Sequence, residues 1–376
     1  MKRPLLHAIR SLNPADGGPV EVVRRVAAEH AATGVPSEIV TLDSPDAPWL
    51  ADWPVPVHAL DGRRTYGWTP KLIPWLREHT SNIAGVLIHG LWQWQGAGTW
   101  MALRKSNTRY FIFPHGMLDP WFRIAFPVRH ARKALYWRLA EHRVIRDAAA
   151  VLFTCEEERR LGRQTFHPWI TRREEIVPLG TCAPPAPPEE LRALFYQRFP
   201  QLKGQRLLLF LGRLHEKKGC DLLLEAYRKM KPPLHLVLAG PCADSAFEKR
   251  LRELAEGLNV TFTGPLYDRE KWAALAAAEA FILPSHQENF GIAVAEALAS
   301  GLPVLISDKV NIWREIDADR AGLVEPATVA GIQRLLERWL AADHAAMQAS
   351  AARCFQTRFT IQQTAAQLAI LCQSES

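Results

Sequence analysis

Short apolar runs alternate with helical patterns along most of the chain. "LLHAI" (5–9) leads into a Gly-rich turn and the helix-like "PVEVVRRVAAEHAATG" (19–34). "SEIVTL" (37–42), "AGVLIHG" (84–90), "RYFIFPHG" (109–116) and "AAAVLFTC" (148–155) follow, each bounded by polar or turn residues. After residue 200 the alternation restarts with "RLLLFLGRL" (206–214), "LHLVLAG" (234–240), "VTFTG" (260–264), "AFILPS" (280–285) and "PVLIS" (303–307). Runs of four to eight apolar residues separated by helices predict parallel strands with both faces covered, an α/β architecture. Between the two series, "VPLGTCAPPAPPEELRALF" concentrates proline, which fixes φ and removes amide donors. It predicts a semi-rigid linker over 181–202. The expected organisation is two facing Rossmann-like domains, 1–180 and 203–356, with a tail from about 357 to 376 returning to the first.

Composition sets limits on this picture. The chain has 376 residues, more than one hydrophobic core usually supports. It has no apolar run long enough to span a bilayer, and the basic start "MKRPLLHAIR" reads as a first strand, not a signal peptide. Six scattered cysteines without a CxxC pair suit reduced thiols in a cytoplasmic protein and make a zinc site improbable. The net charge is +7, and the basic excess falls in the N-terminal half. Part of it lies in "WFRIAFPVRHARKALYWRLAEHRVIR" (121–146), where cations interleave with Trp121, Phe122, Phe126, Tyr136 and Trp137. That segment reads either as a solvated helix packing its aromatics on the core or as a surface for anionic lipid.

Candidate chemistry collects where strands end, since ligands of open α/β sheets bind at carboxyl ends, beside helix N-termini. Gly17 and Gly18 sit between the first strand and its helix, where Gly18 would let a ligand approach the backbone. In "FLGRLHEKKGCDLLLEA", Arg213 directly follows a strand and Lys218 precedes a helix. Two cations there can neutralise a diphosphate; the alternative is an ordinary charged loop in which Arg213 pairs with Glu216. The loop has no Walker A order, and GxGxxG follows neither domain's first strand. His89 and His115 each end a strand beside a glycine; each is either a ligand contact or a satisfied core residue. Asp119 is either an acceptor-side carboxylate or a helix-capping acid. In "SHQENFGIAVAEALASGLPV", Glu288 falls in a loop and Glu296 in an Ala-rich helix that Gly301 stops. Eight helical steps between them would span roughly 12 Å, enough for a sugar, a diphosphate and a ribose. Asn289, Phe290 and Gly291 would offer amides at the helix start.

"GRLHEKKGCDLLLEA", "LAGP", "FTGPL" and "PSHQENFGIAVAEALASGLPV" occur in the order and spacing of a known family. The chain resembles the retaining GT-B glycosyltransferases of family 4, and the last stretch resembles their E-x7-E motif. "HGLW" and "PHGMLDPW" look like a bacterial subgroup that assembles surface polysaccharides. The resemblance implies a GT-B fold with a donor cleft between two Rossmann-like domains. It also implies a retaining hexosyltransferase that moves a sugar from a nucleoside-diphosphate sugar to a glycan or lipid-linked glycan. By the same resemblance, Arg213 and Lys218 would bind the diphosphate, Glu296 the ribose and Glu288 the sugar hydroxyls. The amides of Asn289–Gly291 would meet the sugar or β-phosphate, and Leu266 would lie near the base. Gly17 and Gly18 would approach the diphosphate, and His115 the sugar. His89, Trp92 and Asp119 are the acceptor-side candidates. The expected setting is the cytoplasm or the inner face of a membrane, with no metal, no cofactor and no nucleic-acid partner. The rival readings are a GT-B sugar-nucleotide epimerase and, from another class, a basic lipid-surface or nucleic-acid binding module.

Overall fold

The computed structural model describes residues 3–63 and 65–373. The chain divides into two compact units, residues 1–180 with 361–376, and residues 181–360. The ends of the expected first domain and tail, residues 1–2 and 374–376, lie outside the described residues.

The first unit holds a seven-stranded parallel sheet. Its strands are β1 (Leu5–Ile9), β2 (Ser37–Thr41), β3 (Val57–Ala59), β4 (Gly85–His89), β5 (Tyr110–Phe113), β6 (Ala150–Phe153) and β7 (Glu174–Ile176). They lie in the order β3-β2-β1-β4-β5-β6-β7. The central strands are buried at every position, as expected of strands covered by helices on both faces. The three-residue edge strands β3 and β7, half-buried throughout, escaped the sequence reading. The helix Ile361–Gln373 packs on the helix Gly18–Thr33, and Thr364 donates to the Pro178 carbonyl at 2.7 Å.

The second unit has six parallel strands: β8 (Leu207–Leu211), β9 (His235–Ala239), β10 (Val260–Gly264), β11 (Ala280–Leu283), β12 (Val304–Ser307) and β13 (Gly322–Glu325). Their order is β10-β9-β8-β11-β12-β13. Both sheets therefore reverse strand order once, between β1 and β4 and between β8 and β11. Such a switch point opens a crevice at the carboxyl ends of two neighbouring strands.

The linker expected over 181–202 is extended only at its start. Pro188 opens a helix, Pro188–Arg198, that packs on Asp268–Ala277 and belongs to the second unit. Proline's fixed φ and missing amide suit a first helical turn, so the prolines that suggested a linker also start this helix.

Candidate active site

In the second unit, the sequence candidates gather at the β8/β11 switch point. β8 ends at Leu211, and Arg213 follows as an exposed side chain with no carboxylate partner among the described residues. The alternative Arg213–Glu216 pair does not form. A short helical turn, Glu216–Lys218, then delivers Lys218, whose ammonium pairs with the Glu288 carboxylate. Both side chains are about one-fifth exposed, at 19% each. Burial, Lys217 and Arg213 push the Lys218 ammonium down to about 8. The Glu288 charge pulls it the other way, as an opposite charge does.

Close packing of two loops makes that pairing possible. Gly219 has a φ of 68°, and a Cβ there would stand 2.2 Å from the Pro284 carbonyl oxygen. Glycine thus lets the loop after β8 touch the loop after β11. The Glu288 loop is pinned from its other side. The Glu288 amide donates to the Lys309 carbonyl at 2.9 Å, and the Asn311 amide to the Glu288 carbonyl at 3.0 Å.

The helix Ile292–Ala299 begins four residues after Glu288. Glu288 is extended and bridges Val310, so the helical spacing of roughly 12 Å expected between the glutamates does not apply. Asn289 is half-buried beside Glu288, and Gly291 caps the helix in the left-handed region at φ 83°. Phe290 is buried with its ring edge-on to Phe359 at 5.5 Å, so only its backbone can serve a ligand. Glu296 is buried, and its Oε1 accepts from Lys271 Nζ at 2.7 Å. Sequence reading missed Lys271, which precedes Glu296 by 25 residues on another helix. Leu266 is buried at the edge of a cavity of about 210 Å³ lined also by Phe195, Phe199, Arg198 and Glu270.

In the first unit, the switch point between β1 and β4 carries histidines. His7 Nδ1 lies 3.0 Å from His89 Nε2, and His89 Nδ1 lies 3.0 Å from His115 Nε2. The rings lie edge to edge and close to coplanar, with centroids 5.2 and 5.3 Å apart. Burial drives His7 and His115 far below the usual histidine range, and His89 well below it with help from its two neighbours. All three rings are therefore neutral. His7 sits inside "LLHAI", where it read only as a strand residue. His115 is half-buried at φ 50°, in the left-handed region that non-glycine residues seldom adopt. Glu158 holds its turn: Oε1 accepts the Gly116 amide at 2.6 Å, while Oε2 accepts the Thr154 amide and hydroxyl at 2.7 Å each. In the sequence, Glu158 is one of three glutamates in "CEEERR", indistinguishable from a solvated acid.

The remaining candidates divide. Gly17 and Gly18 are exposed, with open space where a Cβ would stand, and the positive φ falls at Gly17, not Gly18. Asp119 Oδ1 accepts the Trp121 amide at 2.8 Å at the start of a helix, which fits the capping alternative. It also lines a small cavity with Phe122, Phe126, His130 and Lys133. Trp92 is half-buried at φ 71°, its ring against Phe166 at 4.9 Å and beneath Lys133 Nζ at 4.9 Å. Its amide donates to Glu141 Oε1 at 3.4 Å. Glu141 is fully buried, and burial raises its carboxyl to about 8.

The segment 121–146 divides its apolar side chains between core and solvent. Trp137 is buried, and the side chains left in solvent are mainly aliphatic: Ile124 (80% exposed), Val128, Leu135 and Leu139. Among the described residues, no group of three His, Cys, Asp or Glu side chains stands ready for a metal ion. None of the described helices is long and apolar enough to cross a membrane.

Known proteins resemble both units. A family model described as "Glycosyl transferases group 1" matches residues 195–353, and one described as "Glycosyl transferase 4-like domain" matches residues 17–180. The chain is 31% identical over 144 residues to mannosylfructose-phosphate synthase of Agrobacterium fabrum, covering 35% of this chain and 31% of that protein. It is 29% identical over 239 residues to the GDP-mannose-dependent alpha-(1-6)-phosphatidylinositol dimannoside mannosyltransferase of Mycobacterium tuberculosis, covering 62% and 60%. The match thus spans less than two thirds of either relative's length. Anabaena HepE, solved in complex with UDP, superposes with a TM-score of 0.77 at 17% identity, covering 97% of this chain and 98% of that one. Both halves of the chain are glycosyltransferase domains by family match, and the fold is that of the GT-B glycosyltransferases.

Proposed function

We propose that the protein is a retaining glycosyltransferase. It moves a hexose from a nucleoside-diphosphate sugar to a hydroxyl of a glycan or lipid-linked glycan, in assembly of a bacterial surface polysaccharide. The observation that carries this reading is the meeting of Arg213, Lys218 and Glu288 at the β8/β11 switch point, next to the helix that holds Glu296. The unpaired Arg213 and the Lys218 ammonium bind the diphosphate. Glu296 takes ribose hydroxyls, Glu288 sugar hydroxyls, and the amides of residues 289–291 the sugar or β-phosphate. Leu266 borders the base. In the first unit, Gly17 and Gly18 offer open backbone to the diphosphate, and His115 meets the sugar.

Chemically, the leaving diphosphate gathers charge as the glycosidic bond breaks, and fixed cations stabilise it without a metal. Glu288 is already paired with Lys218, which suits a hydroxyl ligand better than a free nucleophile. We therefore favour attack from the leaving-group face, with a diphosphate oxygen accepting the acceptor's proton. The exposed Ile124, Val128, Leu135 and Leu139, set among Arg123, Arg129, Arg132 and Arg138, favour a site of action on an anionic membrane surface. Cytoplasmic placement at the inner leaflet follows from the same reading.

A thermal-shift screen of UDP, GDP and ADP and their sugars tests donor binding, because a ligand that binds only the folded state raises Tm. Stabilisation by one nucleoside diphosphate is expected, and none by any of the three sinks the reading. NMR of the anomeric proton with the sugar donor that stabilises then follows the reaction. Retained configuration in a new glycoside supports transfer, whereas conversion of donor without acceptor identifies an epimerase.

A further inference from the structure

We infer that His7 and His89 fix the proton of His115 on Nδ1, so that His115 meets its ligand as a neutral hydrogen-bond donor and not as a base. The inference rests on the reading that His115 contacts the donor, but its core is a property of the unliganded protein.

Three neutral imidazoles carry one ring proton each, and two hydrogen bonds join them nitrogen to nitrogen at 3.0 Å. A neutral ring donates from one nitrogen and accepts at the other. Both bonds must therefore run in the same direction, and the three tautomers are coupled. In one arrangement every ring is protonated at Nε2. His115 then donates inward to His89, His89 donates to His7, and His7 Nε2–H ends the chain. In the other arrangement every ring is protonated at Nδ1, both bonds run outward, and His7 ends in a bare lone pair.

The environment of His7 Nε2 chooses between them. His7 is fully buried, and its Nε2 has no protein partner. Buried N–H groups without partners are rarer in folded proteins than acceptors with spare capacity. His30, whose ring centroid lies 6.2 Å from that of His7, follows the same pattern. Its Nε2 faces the Ala365 carbonyl at 3.0 Å and must carry the proton. Its buried Nδ1, without a partner, is then also a lone pair. The outward arrangement leaves lone pairs, not N–H groups, in this buried region. It also places a proton on His115 Nδ1, which has no partner among the described residues on this partly buried ring. Glu158, through the Gly116 amide, holds that ring's turn. His7 and His89 are positioning residues that act through His115.

Histidine-selective 15N labelling and long-range 1H–15N correlation, at pH 7.5 without ligand, read the tautomers directly. Pure Nδ1–H patterns for His7, His89 and His115 are expected. An Nε2–H or averaged pattern at His115 overturns the inference. His89→Phe, with its fold checked by circular dichroism, removes the acceptor's inner partner. His115 should then average between tautomers, and an unchanged pure Nδ1–H pattern overturns the role of the relay. Turnover with the donor tests the consequence. His115→Ala should lower kcat about tenfold. His115→Asn keeps an N–H at the Nδ1 position, tolerates the left-handed backbone, and should stay within about threefold of wild type. Equal losses in both variants overturn the donor role. If neither variant changes turnover while the spectra are as expected, the donor contact of His115 fails and the tautomer relay stands.

Discussion

The two units apply one topology to opposite electrostatics. At the β8/β11 switch point, the second unit places charges: Arg213 unpaired, Lys218 against Glu288, and Lys271 against Glu296 nearby. At the β1/β4 switch point, the first unit places neutral groups. Three histidines are stripped of charge by burial, and Glu141, deeper in the same unit, is held protonated into the neutral range. The carboxyl ends of parallel strands thus supply a location and leave the chemistry open. In the second unit Arg213 stands in solvent, and Lys218 and Lys271 each face a carboxylate. In the first, burial makes uncharged imidazoles the favoured state.

This contrast can be broken most forcefully at its cationic side. Arg213→Ala and Lys218→Ala should each weaken nucleoside-diphosphate binding by about 1.5–3 kcal/mol, the worth of a charge-assisted hydrogen bond. Losing Lys218 also leaves Glu288 unpaired beside an anion. Calorimetric titration with the stabilising nucleotide checks this, and unchanged affinity in both variants rules out the diphosphate assignment.

The neutral side should show itself in stability. Glu141 titrates near 4.5 when unfolded and about 8 when folded, so the native state binds the extra proton between those values. The Glu141 contribution to stability should therefore fall as pH rises from about 5 to 8, by an amount on the order of 1–3 kcal/mol, opposite in sign to the contribution of the buried neutral histidines. Glu141→Gln mimics the protonated form and should flatten that slope. Chemical denaturation at pH 5 and 8 measures it, and parallel slopes in both proteins would refute a protonated Glu141.

Lys218 offers a smaller effect of the opposite kind. With its ammonium at about 8 in the free protein, charge is lost as pH rises through that value. Nucleotide affinity should then drop about tenfold between pH 7 and 9 in wild type. Lys218→Arg keeps its charge and should hold affinity across that interval. The mildest expectation is Glu296→Ala, which removes ribose hydrogen bonds and should cost about 1 kcal/mol in both UDP and UMP binding. Loss for UDP alone would move Glu296 away from the ribose.

Much of this was legible in sequence because the central strands are buried on both faces and so read as continuous apolar runs. β3, β7 and β13 were not, being three or four residues long and in part half-buried. Arg213 and Lys218 were singled out by their place between a strand and a helix, and Glu288 and Glu296 by their spacing across a loop and an Ala-rich helix. Their ion pairs were not, because Lys218 and Glu288 lie 70 residues apart. Lys271 falls in a plain charged helix and acquires meaning only where its ammonium meets Glu296. His7, Glu141 and Glu158 were hidden for a related reason. A histidine in an apolar strand or an acid in a charged helix has no local signature of burial. Each becomes distinctive only through partners from other strands and helices.

The contact between Gly219 and the Pro284 carbonyl has a consequence for engineering. A Cβ at 219 would overlap that oxygen at 2.2 Å, so the loops after β8 and β11 fit each other as a single moulded piece. Anyone grafting a donor loop from a relative to change sugar preference would need to transplant 212–219 together with 284–291. Exchange of either alone would part the surfaces that bring Lys218 to Glu288, and on the proposed function a swap designed to alter selectivity would instead abolish donor binding.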